Sequence, residues 1–112
     1  MTRTELLLHL IEASIPIPEA ISRLAELSWD ANADLVELRP EHCSNVISQF
    51  IRSAIAGPDV EAWANAIECR EDVRIKTPLV GEVLHELANP VLTYSLSPGR
   101  GEFLLSRLQN AG

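Results

Sequence analysis

Residues 43–55, CSNVISQFIRSAI, decide the fold predicted for this chain. Apolar side chains recur there at spacings of three and four, which places them on one stripe of an α-helix. The residues of this stripe are Cys43, Val46, Ile47, Phe50, Ile51, Ala54 and Ile55. A stripe this wide is buried against other elements. The pattern therefore predicts a central helix over residues 41–56 that is ended by Gly57 and Pro58.

The length and composition indicate one domain over residues 1–112. A chain of this length fits a single domain and leaves no room for two of full size. Apolar residues make up 46% of it, which is enough for one core and too many for intrinsic disorder. A fold of this size is viable without disulfides or metal ions.

The start of the chain lacks the pattern of a secretory signal. Its apolar run, residues 6–11, is short, contains His9 and is followed by Glu12, whereas a signal core is longer and lacks carboxylates. No run approaches the twenty apolar residues of a membrane span. We therefore expect a cytoplasmic protein that keeps Cys43 and Cys69 reduced.

The charge balance narrows the classes of partner. Sixteen carboxylates face nine basic side chains, giving a net charge of −7. Nucleic-acid binders need a basic surface that replaces counterions on phosphate, and anionic membranes attract the same kind of surface. We therefore expect neither nucleic acid nor membrane as a partner, and a basic protein fits better.

Capping residues and prolines divide the chain into about six helices. Thr2 and Glu5 have the spacing of a capping box, and Thr77-Pro78 and Ser97-Pro98 are typical helix starts. The predicted helices begin near Thr2, Pro18, Glu41, Pro58, Thr77 and Ser97, and the second of them ends near Ser28 or Asp30.

The last third of the chain also contains extended character. Val73 and Ile75 alternate with basic residues, and residues 91–96 could pair with them as a two-stranded ribbon. The last helix contains Gly99 and Gly101, which weaken it. Its residues expected to face inward are Phe103, Leu104 and Leu108.

An internal similarity suggests how the helices pair. At an offset of 40, residues 6–19 match residues 46–59 in apolar spacing and in the proline-acid pair that starts the next helix. Each stretch reads as a helix, a short link and a second helix. The predicted fold is an all-α compact bundle of about six helices built on two αα-hairpins, with at most one short two-stranded ribbon. The central helix is expected to pack on the first helix.

The sequence contains no convincing catalytic or metal-binding motif. Residues 85–89, HELAN, begin like the zinc-protease motif, but Asn89 stands where the second histidine is needed. Glu82 and Glu86 share a helical face, which a solvated surface explains. There is no nucleophile elbow and no phosphate loop. We therefore expect no enzyme activity, no cofactor and no metal.

Two groups of acidic residues are the remaining candidates for a binding site. The first, Glu68, Glu71 and Asp72, follows the helix that carries Trp63. Carboxylates at a helix C-terminus are unfavourable against the helix dipole, and such choices are more frequent at functional sites. Neutralisation by neighbouring arginines, Arg70 and Arg74, is the structural alternative. The second group is Trp29, Asp30, Asp34 and Glu37, in which Trp29 could anchor an interface.

Residues 5–15, ELLLHLIEASI, followed by residues 18–21, PEAI, resemble the opening of colicin-D-type immunity proteins. This family consists of small, acidic, all-helical bacterial proteins that bind and block a nuclease toxin. The resemblance implies an inhibitor of a basic toxin and assigns no site residue. Residues 63–72 and 87–90 also resemble small bacterial helical proteins without an assigned activity.

The function expected from the sequence is a non-enzymatic protein-binding module. Its most specific form is an immunity-type inhibitor that caps a basic toxin or nuclease through Glu68, Glu71 and Asp72, with Trp29, Asp30 and Asp34 as further contacts. The alternative is a structural or scaffold protein that self-associates through an apolar face.

Overall fold

The computed structural model describes residues 2–27 and 36–111. Within those ranges the chain forms six helices and one two-stranded ribbon, with a radius of gyration of 13.3 Å. The all-α bundle expected from the sequence is confirmed. The elements in chain order are α1 (Arg3–Glu12), α2 (Ile17–Ala25), β1 (Val36–Glu37), α3 (Pro40–Ile51), α4 (Gly57–Glu68), β2 (Val73–Arg74), α5 (Pro78–Ala88) and α6 (Pro98–Ala111).

The helix starts follow the capping rules. Thr2 Oγ1 accepts a hydrogen bond from Glu5 N, and Glu5 Oε1 accepts one from Thr2 N, both at 3.2 Å. A proline stands in the first turn of each later helix, where its missing N–H costs nothing. Ser97 Oγ accepts a hydrogen bond from Arg100 N and so caps the last helix.

The central helix ends at Ile51, before the predicted end at residue 56. Ser53 adopts a left-handed conformation with φ of 62°, its N–H bonds to Phe50 O, and Ala54 N bonds to Gln49 O. This Schellman motif satisfies the last carbonyls of the helix. Ala54 is therefore exposed beyond the helix, and the Gly-Pro pair does not end α3 but begins α4, where a helix start was predicted.

The same motif ends α1. Ala13 has φ of 50°, its N–H bonds to Leu10 O, and Ser14 N bonds to His9 O. The four residues of this motif are separated by 40 positions from their counterparts after α3. In addition, α2 and α4 begin at Ile17 and Gly57, which keep the same separation. The internal similarity thus extends from the sequence to the backbone.

All six helices contribute to the core, and α5 supplies the largest number of buried side chains. Cys43, Val46 and Ile47 are fully buried, as the apolar stripe predicts. Trp63 is also fully buried, and its Nε1 donates a 2.7 Å hydrogen bond to Leu10 O, which ties α4 to the end of α1. α3 contacts α1 as predicted, but its most extensive contact is with α6.

Gly101 explains the close contact between α3 and α6. It is buried, and a Cβ built on it would lie 3.2 Å from Ile47 Cγ2 and 3.2 Å from Ile51 Cδ1. A side chain at this position would separate the helices. Leu104 and Leu108 are buried as predicted, whereas Phe103 points outward and is 49% exposed.

The ribbon contains the predicted segment at Val73, but its partner strand is not the predicted one. β1 pairs with β2 in parallel, with Val36 opposite Val73 and Glu37 opposite Arg74, and Leu38 N bonds to Arg74 O at 2.9 Å. Residues 91–96 form no strand with the other described residues, and a turn hydrogen-bonded to Asn89 O starts this segment. α2 ends at Ala25, and the predicted helical residues 28–30 lie outside the described ranges.

Candidate functional site

The predicted acidic site is divided by the structure. The carboxylate of Asp72 is buried and accepts two hydrogen bonds from Arg70, 2.8 Å from Nε and 3.0 Å from Nη2. Its backbone carbonyl also accepts a hydrogen bond from Val36 N, at the start of the ribbon. Asp72 is therefore held inside the fold by a forked ion pair, in agreement with the structural alternative for this residue.

The other two carboxylates of the group lie at the surface. Glu68 Oε2 is 3.2 Å from His85 Nδ1 on α5, and Asn89 Nδ2 approaches the same nitrogen at 3.2 Å. The side chain of Glu71 is exposed. Two exposed carboxylates thus remain beside the end of α4, where three were expected.

The second acidic group lies largely outside the described residues. Trp29, Asp30 and Asp34 fall within residues 28–35, so their placement as partner contacts stays a prediction. Glu37 is described, and its carboxylate lies 3.3 Å from Lys76 Nζ and 3.7 Å from Arg39 Nε. Its charge is compensated at the ribbon.

The most unusual exposed feature lies between α5 and α6 and was not predicted as a site. The exposed fractions are 96% for Val91, 79% for Leu92, 59% for Tyr94 and 49% for Phe103. We call these four residues, with Arg100 between the two rings, the 91–103 surface. Large apolar side chains exposed singly are ordinary, but a group of them marks an interaction site.

The backbone that carries this surface is well held. Leu92 N and Thr93 N both bond to Asn89 O, at 3.1 and 3.0 Å. Thr93 Oγ1 lies 2.8 Å from Asn89 O and 3.1 Å from Glu86 O. Leu96 then packs against the core and returns the chain to α6. Val91 and Leu92 are therefore exposed by a defined turn that projects them outward.

Arg100 joins the two aromatic rings of the surface. Its guanidinium lies 3.9 Å from the centre of the Tyr94 ring and 4.6 Å from that of Phe103. The same group donates two hydrogen bonds to Glu86, at 2.8 and 2.7 Å, and this bonding raises the pKa of Arg100. Glu86 is part of the motif that resembles a zinc-protease start, and the structure uses it to position an arginine.

Arg107 repeats this arrangement about two turns farther along α6. Its guanidinium lies 6.0 Å from the Phe103 ring centre, and its Nη2 is 3.4 Å from Glu82 Oε2. Each arginine that touches a ring of the surface is thus paired with a carboxylate of α5. The two arginines beside the aromatic rings are neutralised by these glutamates, so this part of the surface carries no net charge.

The sequence contains a signal for this surface, but the same signal also indicates a paired β-strand. Val91, Leu92 and Tyr94 have the composition of a strand, and they stand between the turn-forming pairs Asn89-Pro90 and Ser97-Pro98. A strand also requires a partner, and sequence periodicity does not show whether one is present. The same residues left without a partner become an exposed apolar turn.

A groove between α2 and α4 is the other apolar feature. Its volume is about 420 Å³, and it is lined by small and apolar side chains such as Ile21, Ala25 and Ala66. Cys69 at its edge is exposed. Cys43 is buried, and burial raises the pKa of its thiol to about 12, so it stays protonated as a packing residue. Among the described residues, no three His, Cys, Asp or Glu side chains form a metal-binding group.

Together these features define an all-α bundle with an exposed, ordered apolar surface. No family model matches the chain, and no curated protein or solved structure is significantly similar to it. None of the helices described in residues 2–27 and 36–111 is long and apolar enough to cross a membrane.

Proposed function

We propose that this chain is a non-enzymatic protein-binding module whose contact surface is the 91–103 surface. The observation that carries the proposal is the exposure of Val91 and Leu92, at 96% and 79%, on a turn held by hydrogen bonds. Monomeric proteins rarely expose contiguous apolar patches larger than a few hundred Å², and larger patches mark interaction sites.

The size of the surface fits reversible binding. From the dimensions of its four apolar side chains, roughly 500 Å² is available to a partner. At about 25 cal/mol per Å², burying this area contributes roughly 12 kcal/mol before the costs of association. Those costs are about 4–15 kcal/mol. The balance supports a specific but reversible contact.

The order of the surface also favours binding. Arg100 is fixed by Glu86 and by the two rings it touches, so little side-chain freedom is lost when a partner covers them. The partner class is protein, because sixteen carboxylates against nine basic side chains disfavour nucleic acid.

Affinity capture from the native host tests this proposal. The bait is the full chain, compared with Leu92→Ser and with Leu8→Ser, a control on α1 that changes a 39% exposed leucine elsewhere. We expect the wild type and Leu8→Ser to retain the same protein and Leu92→Ser to lose most of it. Equal retention by all three baits would remove the 91–103 surface as the contact.

A second candidate is the immunity-type inhibitor of a basic toxin. It is favoured by the net charge of −7 and by the exposed carboxylates Glu68 and Glu71 beside the end of α4. Such contacts accelerate association and weaken with salt. In the same capture experiment, Glu68→Lys with Glu71→Lys should release a basic protein if this candidate is correct. Unchanged retention would exclude these two residues.

A further inference from the structure

We infer that the 91–103 surface binds a second copy of this chain, forming a reversible two-fold dimer. The inference rests on the proposed function and names the partner of the same surface. Two features support a second copy: the local charge and the area of the surface.

The charge distribution favours self-association at this place on the molecule. Two copies, each with a net charge of −7, repel one another over most of their surfaces. At the 91–103 surface the cations that touch the rings are neutralised, Arg100 by Glu86 at 2.7 Å and Arg107 by Glu82 at 3.4 Å. Two identical surfaces can therefore meet here without placing like charges opposite one another.

The area agrees with a weak dimer. With roughly 500 Å² from each copy, a two-fold contact buries about 1,000 Å² in total, which is the lower bound for a specific interface. Obligate homodimers bury at least about 2,000 Å². The expected dimer therefore dissociates on dilution.

The surface has an aliphatic and an aromatic part. Val91 and Leu92 are exposed on the turn, and the Arg100 guanidinium lies over the rings of Tyr94 and Phe103. In a two-fold interface, a contact from one patch to another on the second copy occurs twice. The aliphatic part of each copy can then cover the aromatic part of the other, which buries both.

Sedimentation equilibrium of the full chain, from about 5 to 500 µM, tests the inference. We expect the wild type to dimerise within this range. Leu92→Ser should weaken the dimer by about tenfold or more, because a central apolar anchor is lost. Leu8→Ser, with its leucine on α1, should dimerise like the wild type. Far-ultraviolet circular dichroism establishes that both variants are folded.

The salt dependence of binding is a second measurement. It has opposite signs for a second copy of this chain and for a basic protein. Raising ionic strength from about 0.05 to 0.5 M screens the repulsion between two acidic copies, so the dimer should become slightly tighter. Capture of a basic protein would become weaker over the same range. A dimer that dissociates with added salt contradicts a contact through neutralised, apolar groups.

The outcomes separate this inference from the proposed function. A wild type that remains monomeric to the highest concentration, or a dimer unaffected by Leu92→Ser, overturns the second copy as partner. If such a protein still captures a host protein in a Leu92-dependent manner, the proposed function stands with a different partner. If Leu92→Ser changes neither self-association nor capture, both proposals are wrong.

Discussion

Replacement of Gly101 by alanine tests the packing of α3 against α6. The added Cβ would lie 3.2 Å from Ile47 Cγ2, 3.2 Å from Ile51 Cδ1 and 3.3 Å from Ile51 Cγ1. These distances are shorter than ordinary van der Waals contact, so the helices or the isoleucines must shift. Overpacking of this kind costs about 1–3 kcal/mol.

The substitution also has a stabilising effect. Alanine is favoured over glycine in a helix interior by about 1 kcal/mol. Ile47 is fully buried and has little room to move, whereas Ile51 is partly exposed and can adjust. We therefore expect the packing cost to exceed the helix gain, with a net loss of about 1 kcal/mol for Gly101→Ala.

Gly99→Ala is the matched control on the same helix. No atom lies within 4 Å of a Cβ at this position, which is exposed in the first turn of α6. Only the gain from reduced freedom of the unfolded chain remains, so we expect a stabilisation of about 0.5 kcal/mol. The two alanine substitutions should thus change the free energy of unfolding in opposite directions, and the two variants should differ by about 1.5 kcal/mol.

Equilibrium unfolding in urea measures both variants. With a slope of about 1–3 kcal/mol per molar, the expected difference separates their midpoints by about 0.5–1.5 M. Removing the Ile51 Cδ1 methyl with Ile51→Val should relieve part of the Gly101→Ala cost and give a coupling of about 0.5 kcal/mol or more. If Gly101→Ala were as stabilising as Gly99→Ala, the close packing of α3 on α6 would be refuted.

Three further predictions concern other parts of the fold. Asp72→Asn should cost about 3 kcal/mol in urea unfolding, because it removes the charge of a buried carboxylate that is held in a forked ion pair with Arg70; a loss under about 1 kcal/mol contradicts this. Burial lowers the pKa of His42, whose Nδ1 accepts a 2.9 Å hydrogen bond from Arg39 N. The contribution of neutral His42 to the stability of the fold is therefore complete above the pKa of the unfolded state, about 6.5. It is lost as the pH falls through the lower pKa that His42 has in the folded state. His42→Asn should reduce the acid-side decline of Tm, and an unchanged decline counts against this assignment. Ser53→Gly, which relieves a φ of 62°, should raise stability by up to about 1 kcal/mol in the same urea assay, and a loss of stability contradicts this reading.

The helices were predictable because their signals are local. Proline in the first turn, the Thr2–Glu5 capping box and the three-four apolar spacing each act within a few residues. The end of α3 was missed because a serine supplies the left-handed residue, a position where glycine is the usual signal. The apolar stripe continued past that point and so concealed the end.

Features that depend on distant residues were not predictable in the same way. The ribbon pairs segments about 37 positions apart, and two-residue strands have almost no pattern of their own. Phe103 was assigned to the core because its spacing suits an inward residue, yet it packs outward beside Arg100. The 91–103 surface depends on the absence of a covering strand among the described residues, which no local pattern encodes.

The repeated Schellman motifs limit how the chain can change in length. After α1 and after α3, the left-handed residue stands four positions before the next helix begins, at Ala13 and Ile17 and at Ser53 and Gly57. Each residue added to a helix rotates the face that follows by about 100°. If one residue is inserted in either link, the link must change its conformation to absorb the residue. Otherwise the buried face of α2 or α4 turns towards water. The fixed length of the two links therefore keeps the buried faces of α2 and α4 directed towards the same core.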